Sequence, residues 1–160
     1  MNLWKKFSEL TITKKLRFGP SAVIDVDAAA KIYGGLNGIP FVRQLAPAAK
    51  TVSATLTAAE LLTRLITVNE GAGAASALQL PTAAAMDTAL PKFVANDGFD
   101  FSVVNISTVA AEDATITTNT GWTLVGNIDI ASNAAATDKS AGRFRARKTG
   151  TAAWTLYRIS

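Results

Sequence analysis

Apolar and polar positions change rhythm twice along this chain. Leu3, Trp4, Phe7 and Leu10 fall at i, i+1, i+4 and i+7, the spacing of one helix face, with Lys5, Lys6 and Glu9 turned elsewhere. About three turns of such a helix are marginal alone in water, so the segment is expected to order on a partner surface. Breakers then follow every few residues. Gly-Pro, Gly-Gly, Asn-Gly and further prolines punctuate RFGPSAVIDVD and YGGLNGIPFVRQLAP, which excludes a long helix and predicts an extended, turning arm over residues 1–50.

From Thr51 the pattern becomes that of a β domain, residues 51–160. TVSATL, LITV (65–68) and ASALQL (75–80) read as strands. Thr57 and Glu60 have the spacing of a capping box, which starts a short helix running through Leu62. Thr82 is the next N-cap, opening a helix over AAAMDTAL that Pro91 stops. FDFSVVNI, ATITT, WTLVG, NIDIA, GRFRARK and AAWTLYRI are short, rich in β-branched and aromatic residues, and separated by Asn, Asp, Gly and Ser. The expectation is a mainly β fold: an antiparallel β-sandwich of jelly-roll-like form with two short helices, preceded by the arm.

Composition narrows the chemistry. Of 160 residues 49% are apolar and 18% charged, which suits one domain with a core plus an arm. There is no Cys and no His. Disulfides, thiolate or imidazole metal ligands, and imidazole bases are therefore excluded, and with them most enzyme constellations. The net charge of +4 is unevenly placed: residues 1–50 carry eight Lys and Arg against three acids, and residues 51–160 carry eight against nine. Basic character belongs to the arm. The first segment has no continuous apolar stretch of signal type, and no later run is long enough to span a bilayer, so a soluble protein made in a cytoplasm is expected.

RFRARKTGTAAWTLYRIS raises the sharpest local question, because Arg143, Arg145 and Arg147 alternate ahead of a turn. A three-residue loop Lys148-Thr149-Gly150, with a left-handed glycine, pairs Phe144 with Trp154 and Arg145 with Ala153. The aromatics then share the core face, and the arginines share the outer face with Thr155 and Tyr157. Burying three unpaired guanidinium groups would cost several kcal/mol each, which decides the face. Arg143, Arg145, Arg147 and Tyr157 are expected on a solvated or intersubunit face. They do not read as a nucleic-acid grip, since no second basic strand or interleaved exposed aromatics accompany them.

Other candidates carry less. Asp25 with Asp27, and Asp97 with Asp100, lie in no ligand-dense loop and read as structural turns. Gly71-Ala-Gly73 lacks the rest of a dinucleotide or phosphate loop and reads as a flexible connection. Asn105-Ile-Ser107 matches a glycosylation sequon, which means little without a secretory route. No cofactor, no metal site and no enzymatic activity are expected.

LTAAELL, LQLPTAAAMDTALP, NDGFDFSVVN, TNTGWTLVGN and FRARKTGTAAWTLYRIS follow one another in an order that resembles a small β domain of tailed-bacteriophage virion proteins, the head decoration (cement) and head- or tail-fibre proteins. The resemblance covers roughly residues 55–160. It implies a non-enzymatic structural protein, commonly trimeric, on the outside of an icosahedral shell. In that setting the major capsid protein is the partner, Trp4, Phe7 and Leu10 are docking anchors, and Lys5, Lys6, Lys14, Lys15 and Arg17 meet shell carboxylates. Neither nucleic acid nor membrane is an expected partner. A fibre tip binding host glycans, with Tyr157 or Trp122 as stacking platform, is the alternative, and an internal nucleic-acid-binding protein is a third possibility.

Overall fold

A computed structural model describes residues 44–134 and 140–160, together with two short strands nearer the N-terminus. The chain divides into two compact units, Met1–Arg43 and Gln44–Ser160. In the first, β1 (Leu16–Phe18) pairs antiparallel with β2 (Ala22–Ile24), with Arg17 opposite Val23. The Gly19-Pro20 punctuation lies between them. The expected docking residues Trp4, Lys5, Lys6, Phe7, Leu10, Lys14 and Lys15 lie outside the described residues, as do Asp25 and Asp27.

The second unit begins ahead of the expected Thr51. Ala48–Lys50 forms β3, which pairs parallel with β5 (Leu65–Val68) inside a six-stranded sheet. Two alanines and a lysine carry no strand signal of their own; the neighbour recruits them as an edge. Only Ala54–Thr55 of the expected TVSATL strand pairs, as β4. The capping box forms as read: Thr57 accepts from the Glu60 N–H at 3.2 Å, and Glu60 accepts from the Thr57 N–H at 2.8 Å, opening α1 (Ala58–Leu62). Lys50 reaches back to pair with Glu60. Thr82 caps α2 (Ala83–Ala89).

The remaining strands are β6 (Ser76–Gln79), β7 (Gly98–Asn105), β8 (Ala114–Thr117), β9 (Trp122–Val125), β10 (Asp129–Ile130), β11 (Ala141–Gly150) and β12 (Ala153–Arg158). They build a six-stranded sheet in the order β3-β5-β7-β11-β12-β9 and a four-stranded sheet in the order β10-β8-β6-β4. From β3 to β11 the chain alternates strictly between the two sheets. Strands that neighbour one another within a sheet are therefore mostly two apart in sequence, and β3, β5 and β7 run parallel, as do β4, β6 and β8. β12 also pairs parallel with β9. This corrects the expected all-antiparallel arrangement: the domain is mainly β, but its sheets are mixed. Short strands and turns resemble hairpin segments in sequence, and nothing local tells a turn within a sheet from a crossing between two.

One core serves both sheets. Ile66, Val68, Phe101, Val103, Phe144, Ala146, Trp154 and Leu156 come from the larger sheet, and Leu78, Ala114, Ile116 and Ile130 from the smaller; Leu61 and Met86 add the helices. Burial alternates along β5, β8, the first six residues of β11 and the first four of β12, as period-two patterning requires. The aromatics form a chain within it: Trp122 to Trp154 at 5.8 Å between ring centroids, Trp154 to Phe99 at 6.2 Å, and Phe101 to Phe144 at 5.6 Å.

The closing hairpin keeps the expected faces but not the expected register. Lys148 lies opposite Trp154, Arg145 opposite Tyr157 and Phe144 opposite Arg158, with a bulge between Lys148 and Gly150. The shift is even in parity, so every side chain keeps its face. The tip is Thr151-Ala152, and Ala152, not Gly150, takes the left-handed backbone, at φ 48°. Asp87 explains the difference, since its carboxylate accepts the Ala152 N–H at 2.8 Å and holds the tip against α2.

Gly121 closes the same corner. Its φ is +85°, and a Cβ there would lie 2.3 Å from the Ala152 carbonyl oxygen and 2.6 Å from the Ala83 Cβ. Gly121→Ala is expected to cost about 2–4 kcal/mol from backbone strain and overpacking, measured as a shift in denaturant midpoint. An unchanged midpoint would show that the hairpin tip is not held against β9.

Candidate functional site

Side-chain alternation along β11 sends Phe144 and Ala146 into the core and Arg143, Arg145 and Arg147 to the opposite face. Across the antiparallel ladder, Arg143 meets Ser102, Arg145 meets Asp100 and Arg147 meets Gly98. Asp100 accepts from Arg145 in a fork, Nε to Oδ1 at 2.7 Å and Nη2 to Oδ2 at 3.0 Å, and from Arg143 Nη2 at 2.9 Å. The Arg145 guanidinium, helped by Arg143, holds the Asp100 carboxyl below the usual carboxylate range against the opposing effect of burial. Arg145 is correspondingly raised by its bonds to Asp100. Arg147 donates through Nη2 to Asn96, and Arg64, in the turn after α1, donates through Nε to the main-chain oxygen of Asp100 at 3.1 Å.

Arg64, Asn96, Asp100, Arg145 and Arg147 line an open cleft of roughly 500 Å³ with Gly98 and Phe99. Gly98 leaves the cleft open where a larger residue would face Arg147. Its backbone is also packed tightly, since a Cβ there would meet the Ala146 carbonyl oxygen at 2.6 Å. The carboxylate partner of Arg143 and Arg145 thus belongs to the same chain. Asp100 stands in β7 and not in the expected turn, on the polar side of the FDFSV alternation. Asp97 does serve a turn, accepting from the Val94 N–H at 2.9 Å. Tyr157 lies opposite Arg145 on β12 and shares its face.

Trp122 is unsuited to stacking a sugar. It is 8% exposed, and its Nε1 donates to the Pro81 carbonyl at 2.7 Å. The sequon is equally occupied: Asn105 is 1% exposed, its Nδ2 donates to the Glu112 carbonyl at 2.6 Å, and its Oδ1 accepts the Ser107 N–H.

Two further carboxylates escaped sequence reading. Glu112, 2% exposed, accepts the N–H groups of Gly71 at 3.0 Å and Gly73 at 2.6 Å and the Ser107 hydroxyl. These bonds, the Ser107 hydroxyl first and then the Gly73 and Gly71 N–H groups, hold its carboxyl below the usual glutamate range against burial. The Gly71-Ala-Gly73 connection is therefore pinned, which corrects the expectation of flexibility. Asp87 pairs with Lys148 at 2.8 Å and also accepts from Trp154 Nε1 at 2.9 Å. Lys148, followed by the Ala152 N–H, lowers its pKa, and the Trp154 bond adds to the effect. No sequence motif marks either residue; each works through partners distant in the chain.

Among the described residues no three His, Cys, Asp or Glu side chains converge on a possible metal position, and no helix is long and apolar enough to cross a membrane. The face can instead present fixed guanidinium groups to an anion. Comparison with protein-family models, curated proteins and solved structures gives no match.

Asp87, Asp100 and Glu112 share a direction of shift, and the sign follows from it. Below the usual unfolded value of about 4, the unfolded chain binds protons that these folded carboxylates still refuse. Their stabilisation is complete above that value and is lost as pH falls through their depressed folded values. Melting temperature is expected to hold from pH 7 to about 5 and to fall below about 4. Glu112→Gln should lower it at pH 7 and flatten the acid limb. Calorimetry across the pH series checks both, and an acid limb identical in the variant would remove Glu112 from the account.

Proposed function

We propose that this chain is a structural virion protein, a decoration or cement protein that binds the exterior of a phage capsid and stabilises the shell. The observation that carries the proposal is the division of the chain at Arg43–Gln44 into a β unit and an N-terminal unit of different chemistry. The β unit has a closed core shared by two sheets, which we take as the faces of a sandwich. Ahead of it, Met1–Arg43 carries seven Lys and Arg against three acids, with the Trp4, Phe7 and Leu10 stripe near its start. A compact knob joined to a basic segment with apolar anchors suits attachment to an acidic protein surface, and several such segments on one oligomer would add avidity.

In this proposal the protein is a homotrimer whose N-terminal segments dock on neighbouring major capsid subunits, with Trp4, Phe7 and Leu10 as anchors and Lys5, Lys6, Lys14, Lys15 and Arg17 facing carboxylates. The family resemblance of residues 55–160 supports the same assignment. Host-glycan binding, the alternative, keeps Tyr157 as a stacking platform but loses Trp122, which is engaged in the core.

Two measurements test the proposal. Light scattering at low and high salt is expected to give a mass near three times the 16.7 kDa chain; a monomer at both would remove the trimer. Removal of residues 1–43 is expected to leave a cooperatively melting β unit that no longer cosediments with shells of the major capsid protein encoded in the same genome. Undiminished cosedimentation would overturn the docking role of the N-terminal segment.

A further inference from the structure

We propose that the cleft bordered by Arg64, Arg145 and Arg147 binds an extended acidic segment of a partner protein, through carboxylates at alternate positions of that segment. The contact is independent of the N-terminal unit and of whether the partner is a viral shell.

The first support is charge. Arg64, Arg145 and Arg147 line the cleft, with Asp100 as the acidic side chain among its lining residues. Arg143 converges on the same Asp100 carboxylate, and the Arg143 and Arg145 side chains remain more than half exposed, at 58% and 56%. Asp97, the nearest other acid in sequence, directs its Oδ2 to the Val94 N–H of its own turn. The cleft therefore keeps a positive excess after its internal pairing.

The second is unused donor capacity on fixed groups. A guanidinium has five N–H donors in a planar fork that matches a carboxylate. Arg64 is anchored through Nε and Arg147 through Nη2, so each keeps donors for a ligand while its stem is held. Anchoring of this kind lowers the ordering cost of binding.

Backbone conformation gives the third. Arg64 and Asn96 carry positive φ angles, 66° and 81°, on the two loops that bound the cleft. Left-handed backbone in a residue such as arginine is costly and is held only where its surroundings fix it. Here the Arg64 N–H donates to the Leu61 carbonyl at 3.0 Å, and its own carbonyl accepts the Ser102 N–H at 3.0 Å. The result aims a strained arginine at the same cleft that β11 lines.

Spacing selects the occupant. Alternate residues of a strand repeat at about 6.8 Å, so Arg145 and Arg147 present charge at the repeat of every second side chain of an extended peptide. A roughly 500 Å³ open cleft suits a few side chains of such a segment. Asp100 engages Nε and Nη2 of Arg145 and leaves its Nη1 for an incoming carboxylate, with Arg147 for the next and Arg64 as a further donor.

The test uses the full chain and the peptide acetyl-Glu-Ser-Glu-Ser-Glu-amide, followed by NMR shift perturbation at low salt. Binding is expected at Arg64, Asn96 and Arg147, weakening roughly fivefold or more between 25 and 200 mM salt as exposed charges are screened. The Gln-for-Glu peptide should not bind. Arg64→Ala with Arg147→Ala should weaken binding about tenfold or more while the melting temperature stays within a few degrees. Should that double variant fail to fold, Arg64→Gln and Arg147→Gln tested singly, with the salt series on the unsubstituted protein, decide the matter. Equal binding of the Gln peptide, or affinity unchanged in the folded variants, would overturn the proposal. So would tighter binding of oligogalacturonate or an oligothymidylate, or inorganic phosphate binding as tightly as the peptide; these would assign the cleft to acidic glycans, nucleic acid or simple anions respectively.

Discussion

The alternation of side chains along Ala141–Gly150 ties the core to the surface. β11 is the longest strand in the molecule's β unit and is flanked by antiparallel partners on both sides, β7 and β12. A slip of one residue against β7 would turn Phe144 and Ala146 outward and drive three guanidinium groups into the aromatic core. Burying those charges without partners is far costlier than exposing two apolar side chains. Packing of Phe144 on Phe101 and the ion pairs of Arg143 and Arg145 with Asp100 therefore enforce the same register from opposite faces of one sheet.

Carboxylates do the complementary work where the chain leaves its ladders. A path that alternates between two sheets creates many crossings, and each crossing strands backbone N–H groups that no strand can pair. Glu112 accepts two of them in the connection between β5 and β6, and Asp87 accepts one at the tip of the β11–β12 hairpin. Glu112 is buried and Asp87 half-buried, and the charge of each is offset by hydrogen bonds; Asp87 adds the Lys148 pair. These knots turn short strands into a rigid platform and also make it sensitive to acid.

That rigidity connects the fold to the proposed roles. Guanidinium groups held by Asp100 and Asn96 on a central strand pair cannot easily collapse onto one another, so they can meet a ligand without first being ordered. The N-terminal unit has the opposite composition, basic and rich in turn residues. Attachment through that unit and recognition through the arginine cleft would be two separable contacts of one protein.

Local grammar was well written in the sequence. Thr57 with Glu60, Thr82 ahead of Ala83, and the alternation in LITV, ATIT and RFRARK state helix starts and strand faces, because caps and period-two burial depend on near neighbours. The face of Arg143, Arg145 and Arg147 was legible for the same reason. Hidden from it were the recruitment of Ala48–Lys50 as an edge strand, the alternation between sheets, the hairpin register set by Asp87, and the meeting of Arg64 with Asn96 and Arg147. The sequence by itself determined most of the strands and which side of each is apolar. Only the tertiary structure decided which strands are neighbours and which charges meet, because those depend on contacts between residues tens of positions apart that no local pattern encodes.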